Sequence, residues 1–111
     1  MMREEKRRYS RVVLTQLIEV SLMHEKFVPA ETVDISECGI LCRSSQPVEP
    51  LTPVFLMLRI PTDQGEYQLQ TEGIVMHSRK EGDACFFGIA FSSLSERDKE
   101  VLRAYTASQN A

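Results

Sequence analysis

The chain has no tryptophan and few aromatic residues of any kind, with five Phe and three Tyr among 111 residues. Its core must therefore rest mainly on aliphatic side chains. Cysteine is scarce too: Cys38, Cys42 and Cys85 are an odd number without a CxxC spacing. That argues against a disulfide framework and predicts reduced thiols in a cytoplasmic protein. Cys38 and Cys42 can share a strand face, and His24 and His77 are available, but nothing has the short paired spacing of a zinc site, so no metal is expected. His77 is expected to be a surface or internally satisfied residue. Long apolar runs are missing. The stretch "PVFLMLRIP" (53–61) falls far short of the roughly 20 residues a membrane-spanning helix needs. The positive charges at the front are not followed by an apolar segment, so no secretory signal is expected there. Phosphate-binding GxxxxGK[ST], the GxSxG elbow and HExxH are all absent. The expectation is a protein without catalytic activity and without a cofactor.

An excess of positive charge is found at one place. The chain carries a net −3, yet residues 3–11 hold Arg3, Lys6, Arg7, Arg8 and Arg11 against Glu4 and Glu5, a local +3. The remainder is therefore −6. Duplex binding displaces counterions from a broad basic surface, so an acidic body argues against DNA or RNA as a partner. A small anion held at one local site stays compatible with it. At 42% apolar and 26% charged, the composition is that of a single small globular domain rather than a disordered chain.

What is present is a series of short extended runs. In "VVLTQLIEVSL" (12–22), Leu14, Ile18, Val20 and Leu22 alternate with Val13, Thr15, Leu17, Glu19 and Ser21, and Gln16 interrupts the apolar set. Further strands are predicted at 27–35, where Pro29 implies an edge position or a late start, and at 39–44. The prolines of "SSQPVEPLTP" (44–53) mark a connection. "VFLMLRI" (54–60) is apolar enough to predict a strand buried on both faces. "PTDQGEY" (61–67) and "KEGD" (80–83) are hairpin turns flanking a strand over 67–79. The last strand is 84–91, where Gly88 implies a bulge or a close backbone approach. A short helix follows, with SxxE at Ser93 and SxxD at Ser95 as two possible N-caps. Ser95 is preferred, because Leu94, Val101, Leu102 and Tyr105 then lie near one face. These elements predict an all-β antiparallel barrel or sandwich over residues 12–108, with a C-terminal helix packed on it and a flexible basic arm over residues 1–11.

Two polar patterns stand out. Arg7 and Arg11 form RxxxR, and Asp34, Ser36 and Gly39 form DxSxxG within "DISECG". On an extended backbone Asp34 and Ser36 point to one face, and Gly39 permits a close approach. Taken singly, the arm is more simply a solvated tail, and Asp34 and Ser36 a turn motif. Taken together and in order, "RRYSR", "VDISECGI", "GIAF" and "LSERDKEVLRAY" make the chain resemble the PilZ domain family over residues 7 to about 105. That resemblance implies a six-stranded antiparallel barrel with a C-terminal helix. It also implies a receptor for the bacterial second messenger cyclic di-GMP, with Arg7, Arg11, Asp34, Ser36 and Gly39 as ligand contacts. Lys6 and Arg8 are further candidates. A basic residue at the place of Lys6 accompanies binding of a stacked ligand pair in the family, which tilts the expectation slightly that way.

The chemistry suits that ligand. Guanidinium groups fork onto guanine O6 and N7 or onto phosphate, and stack on base planes. An ionised Asp34 accepts from guanine N1–H and N2–H₂, and Ser36 can donate or accept. The expected mechanism is ordering of the arm over the nucleotide, read by an effector protein supplied in trans. The expected setting is control of motility, biofilm or exopolysaccharide, with the protein a monomer or weak dimer. The alternative is a ligand-independent adaptor on the same barrel.

Overall fold

The computed structural model describes residues 10–23 and 25–110. Most of the basic arm, including Lys6, Arg7 and Arg8, lies outside the described residues, as does His24. The order of elements is β1 (Val12–Val13), β2 (Leu17–Leu22), β3 (Lys26–Ile35), β4 (Gly39–Ser44), β5 (Pro53–Thr62), β6 (Gly65–Glu81), β7 (Ala84–Phe91) and α1 (Glu96–Gln109).

Every strand pairing is antiparallel, and the neighbours run β3-β2-β5-β6-β7-β4 before β4 returns to β3. That ring is a closed six-stranded barrel, which removes the exposed sheet edges. β1 and β2 are two pieces of one barrel strand, since both pair with β3, at Val12↔Ile35 and at Leu17↔Glu31. The break falls at Gln16, where the apolar alternation is interrupted. Buried Thr32 mends it: its hydroxyl donates to the Leu14 carbonyl at 2.6 Å and accepts from the Gln16 N–H at 2.9 Å. The Gln16 side chain then turns outward to β5. Its Nε2 donates to the Arg59 carbonyl at 2.8 Å, and its Oε1 accepts from the Arg59 N–H at 2.9 Å. Direct pairing of β2 with β5 is confined to Ser21↔Phe55 and Leu22↔Val54, so this amide acts as a distant rung across the same seam.

Inward-facing Val20, Val28, Ile35, Ile40, Leu56, Leu58, Leu69 and Phe87 fill the barrel. Each aliphatic buried there contributes roughly 1.5–3 kcal/mol. α1 covers β5 with Val101, Leu102 and Tyr105. Ser95 is its N-cap, in a full capping box with Asp98.

Three expectations need correction. β5 is buried on one face, not both: Met57 and Arg59 are exposed between buried Leu56, Leu58 and Ile60. A barrel has a single interior, so an apolar run on such a strand must show half its side chains to solvent. Of the two expectations for Pro29 the late start fails, because β3 already begins at Lys26, while the edge position holds locally. The proline is tolerated because the β3–β4 pairing stops at Glu31↔Arg43, which leaves that side of Pro29 without a ladder partner, and its carbonyl accepts from the Ser44 hydroxyl instead. Cys38 and Cys42 do not share a face. Cys38 is exposed in the turn before β4, while Cys42 points into the core. Burial, with a smaller push from the Asp34 charge, raises the Cys42 thiol to about 12, so it is an inert core group.

Candidate functional site

Antiparallel pairing of β1 with β3 decides the site. Val13 lies opposite Asp34 and Val12 opposite Ile35, so the preceding residue, Arg11, meets the segment where β3 ends. The Arg11 Nε donates to Asp34 Oδ1 at 2.6 Å, and its Nη1 donates to Ser36 Oγ at 3.3 Å. Two residues more than twenty positions apart in sequence from Arg11 thus grip one guanidinium. The pair is on the outer face, with Arg11 46% and Asp34 28% exposed. Among the described residues, Asp34 Oδ2 and Arg11 Nη2 have no hydrogen-bond partner.

Ser36 is buried and serves the turn. Its Oγ accepts from the Cys38 N–H at 3.1 Å and the Gly39 N–H at 3.3 Å, while its own N–H donates to the Gly39 carbonyl at 2.9 Å. The turn motif and the Arg11 contact are therefore carried by the same hydroxyl. Gly39 is required by space. A Cβ there would sit 2.3 Å from the Ile89 carbonyl oxygen of β7, a backbone atom that cannot step aside. The close approach lets β4 leave the turn against β7 at once, with Gly39↔Ala90 as their first pair.

The helix braces both sides of this corner. The Tyr105 hydroxyl donates to the Val13 carbonyl at 3.1 Å, and the Arg103 Nε donates to the Glu37 carboxylate at 3.2 Å. The helix is itself fixed by Asp98, whose Oδ1 accepts from the Tyr67 hydroxyl at 2.6 Å and whose Oδ2 accepts from the Ser95 N–H at 3.0 Å. Burial pushes the Asp98 carboxyl up, but the bonds from Tyr67 and Ser95 outweigh it and hold it below the ordinary carboxylate range. The same bond to Asp98, aided by burial and by the carboxylate's charge, raises the Tyr67 phenol against the opposing charge of Arg97.

A groove of about 490 Å³ runs from Arg11 and Asp34 across β4 and β7 to β6. Its far side is formed by His77 and Arg79, which the sequence pattern does not bring to the site. His77 shares the parity of inward-facing Val75, so alternation would aim it into the barrel. A β-bulge shifts the β6–β7 register between Val75 and His77 and turns it out. Gly88 of β7, expected at a bulge or close approach, supplies both: it pairs with His77 across the bulge, and a Cβ on it would lie 2.4 Å from His77 Nε2. The one sequence signal was Gly88 itself, which announced an irregularity without naming its partner.

Of the sequence-predicted residues, Arg11, Asp34, Ser36 and Gly39 come together here. Lys6, Arg7 and Arg8 lie outside the described residues. Among the described residues there is no cluster of three or more His, Cys, Asp or Glu side chains fit to hold a metal, and no helix long and apolar enough to cross a membrane.

Comparison with known proteins agrees with this architecture. The motility inhibitor MotI/DgrA of Bacillus subtilis superposes with a TM-score of 0.82 at 17% identity, over 95% of this chain. This chain spans about half of that structure, 51% of its length. The PilZ domain of Escherichia coli YcgR, solved with c-di-GMP, gives a TM-score of 0.70 at 10% identity, over 95% of this chain and 92% of that one. The PilZ domain of CeSA from a cellulose-synthesizing bacterium gives 0.60 at 18% identity, over 91% and 98%. No curated protein is similar enough in sequence to register a match. The PilZ domain family model matches residues 5–108, and the chain belongs to the PilZ domain family.

Proposed function

We propose that this protein is a cyclic di-GMP receptor. The observation that carries the reading is the exposed Arg11–Asp34 pair, held at 2.6 Å on the outer face of the barrel and opening onto a groove. The pair presents a cation and an anion side by side. A guanine edge offers the matching set, with O6 and N7 as acceptors and N1–H and N2–H₂ as donors. Asp34 Oδ2 takes the guanine donors, and the guanidinium of Arg11 takes the acceptors or stacks on the base. Ser36, being buried, acts as a positioning residue that fixes Arg11 and the turn. Gly39 keeps the turn pressed onto β7. Arg7 supplies the second guanidinium of the RxxxR motif from the arm, with Lys6 and Arg8 as further contacts to the phosphates.

Ligand capture orders the arm over the groove, and the altered surface is read by an effector protein in trans. Processes such as motility, biofilm formation or exopolysaccharide production follow from the family. Binding, not catalysis, is the activity, and it requires no cofactor. A ligand-independent adaptor is the second reading. It is favoured by exposed Leu17, Phe27 and Met57 on neighbouring strands β2, β3 and β5, which line one groove together with Pro29 and Phe55 and offer apolar surface to a protein partner.

Titration calorimetry with cyclic di-GMP tests the proposal. Micromolar or tighter binding by the wild type, lost in Arg11→Ala and Asp34→Ala, is the expected result. A folded wild type that takes up no cyclic di-GMP overturns it in favour of the adaptor.

A further inference from the structure

The outer face of the barrel carries an unbroken row of cross-strand partners: Asp34 pairs with Leu41, Leu41 with Gly88, and Gly88 with His77. The row crosses β3, β4, β7 and β6 and spans three strand spacings, roughly 14 Å. Its middle is low. Leu41 is half-buried and Gly88 has no side chain, so the floor between the two ends is flat and apolar. One end is the Arg11–Asp34 pair. At the other, the β6 bulge has turned His77 out of the barrel, and its ring covers Gly88. Arg79, two residues on, holds its guanidinium 5.0 Å from the centre of the Phe86 ring while its Nε is paired with Glu81 at 2.7 Å. Two planar, nitrogen-bearing groups therefore stand at the far end of the same groove.

Cyclic di-GMP is a symmetric ring with a guanine on each side. Arg11 and Asp34 account for one base and leave the other without a described partner. We infer that His77 is a specificity-determining residue of this site, and that its imidazole forms a stacking platform for the second guanine. The inference rests on the reading of this face as a cyclic di-GMP site. The bulge is what makes the contact available, because without it His77 would face the core. Gly88 is what seats the ring, because any side chain there would lift it off the floor. Stacking on an aromatic plane tolerates loss of a ring nitrogen but not loss of the ring.

The test is calorimetric titration of cyclic di-GMP into the wild type, His77→Ala, His77→Phe, Gly88→Ala and the double variant His77→Ala/Gly88→Ala. Circular dichroism and thermal melting establish that each is folded. His77→Ala is expected to weaken binding about tenfold, as loss of one stacked base implies. His77→Phe is expected to stay within about threefold of wild type. Gly88→Ala is expected to weaken binding by displacing the ring, and the double variant to bind no worse than His77→Ala alone. Wild-type binding that is unchanged in His77→Ala overturns this inference and leaves the Arg11–Asp34 site standing. Multiplied losses in the double variant overturn the role of Gly88 as the seat of the ring. A wild type that binds no cyclic di-GMP overturns the receptor reading itself.

Discussion

Two Ser–Asp clusters sit on this barrel, one at each end of a chain of contacts through α1, and they use the same groups differently. At the helix start, both oxygens of Asp98 are taken by donors of the protein, the Tyr67 hydroxyl and the Ser95 N–H, and Ser95 Oγ accepts from the Asp98 N–H. At the end of β3, Asp34 uses one oxygen for Arg11 and is more than a quarter exposed. In the first cluster the carboxylate is buried with both oxygens engaged, and it fixes a helix, although Ser95 itself is exposed. The second is anchored from below by Ser36, and among the described residues one oxygen of Asp34 is left without a partner. A polar group whose bonds are all made internally contributes stability, whereas one that keeps a lone pair toward solvent is available to a ligand.

The sharpest way to break the comparison is to remove each aspartate. Asp34→Ala is expected to lower cyclic di-GMP affinity by about 100-fold or more, as loss of one partner in a charged recognition pair does. The same change is expected to cost less than about 1 kcal/mol of stability, because a half-exposed ion pair contributes little to folding. Chemical denaturation and calorimetry on one preparation measure both. A stability loss as large as that of Asp98→Ala would make the two clusters alike after all.

Gly39→Ala attacks the corner by sterics instead of charge. Its Cβ would meet the Ile89 carbonyl at 2.3 Å, so β4 and β7 must separate at their first pair. A loss of about 2–3 kcal/mol is expected in urea denaturation, together with weakened ligand binding. Gly39→Ala as stable as wild type would show that the turn can slide on β7.

Tyr67→Phe removes the part-buried donor to Asp98 and is expected to cost about 2 kcal/mol, the range for hydrogen bonds to charged groups. It also predicts a pH signature. Asp98 is depressed in the folded state, so its contribution is present above the ordinary carboxylate pKa of about 4 and is lost as pH falls through the lower folded value. Tyr67 is raised, so its contribution is present below the ordinary phenol pKa of about 10 and is lost as pH climbs through the higher folded value. Wild-type stability measured against pH is expected to fall away on both sides of that window, and both slopes are expected to flatten in Tyr67→Phe. Parallel curves for the two proteins would deny the coupling.

The smallest effect is expected at the seam between β2 and β5. Gln16→Ala removes the side-chain rung to Arg59 and is expected to cost about 1 kcal/mol. Hydrogen exchange at the Arg59 amide is expected to accelerate, since the Gln16 carboxamide is its acceptor. Unchanged protection would place the strength of the seam elsewhere.

Much of this molecule was legible in its residues, and the reasons are local. Alternation of Ile18 and Val20 with Leu17 and Glu19, proline clustering at 47–53 and the Ser95–Asp98 spacing each report short-range physics. Strand, loop and helix start therefore appear in the sequence near their observed places. The meeting of Arg11 with Asp34 and Ser36 was foreshadowed only by the order of the two motifs and the family resemblance, and the pairing of β1 with β3 is what brings it about. The one-sided burial of β5 was not legible. An apolar side chain at Met57 is compatible with either face, and barrel closure alone decides which one meets water. His77 was expected at the surface and is exposed there, but its place beside the groove was illegible for a stronger reason. Its parity aims it inward, and the bulge that reverses it arises from pairing with Gly88, eleven residues away on another strand.

By itself, then, the sequence determined the elements, the family and one half of a candidate site, since these follow from period, capping and motif order along the chain. Only the tertiary structure decided that Ser36 is buried beneath Arg11, that Asp34 stays open, and that His77 faces the same groove. Those outcomes depend on register between strands, and register is fixed by the packing of a closed barrel rather than by any single segment of the chain.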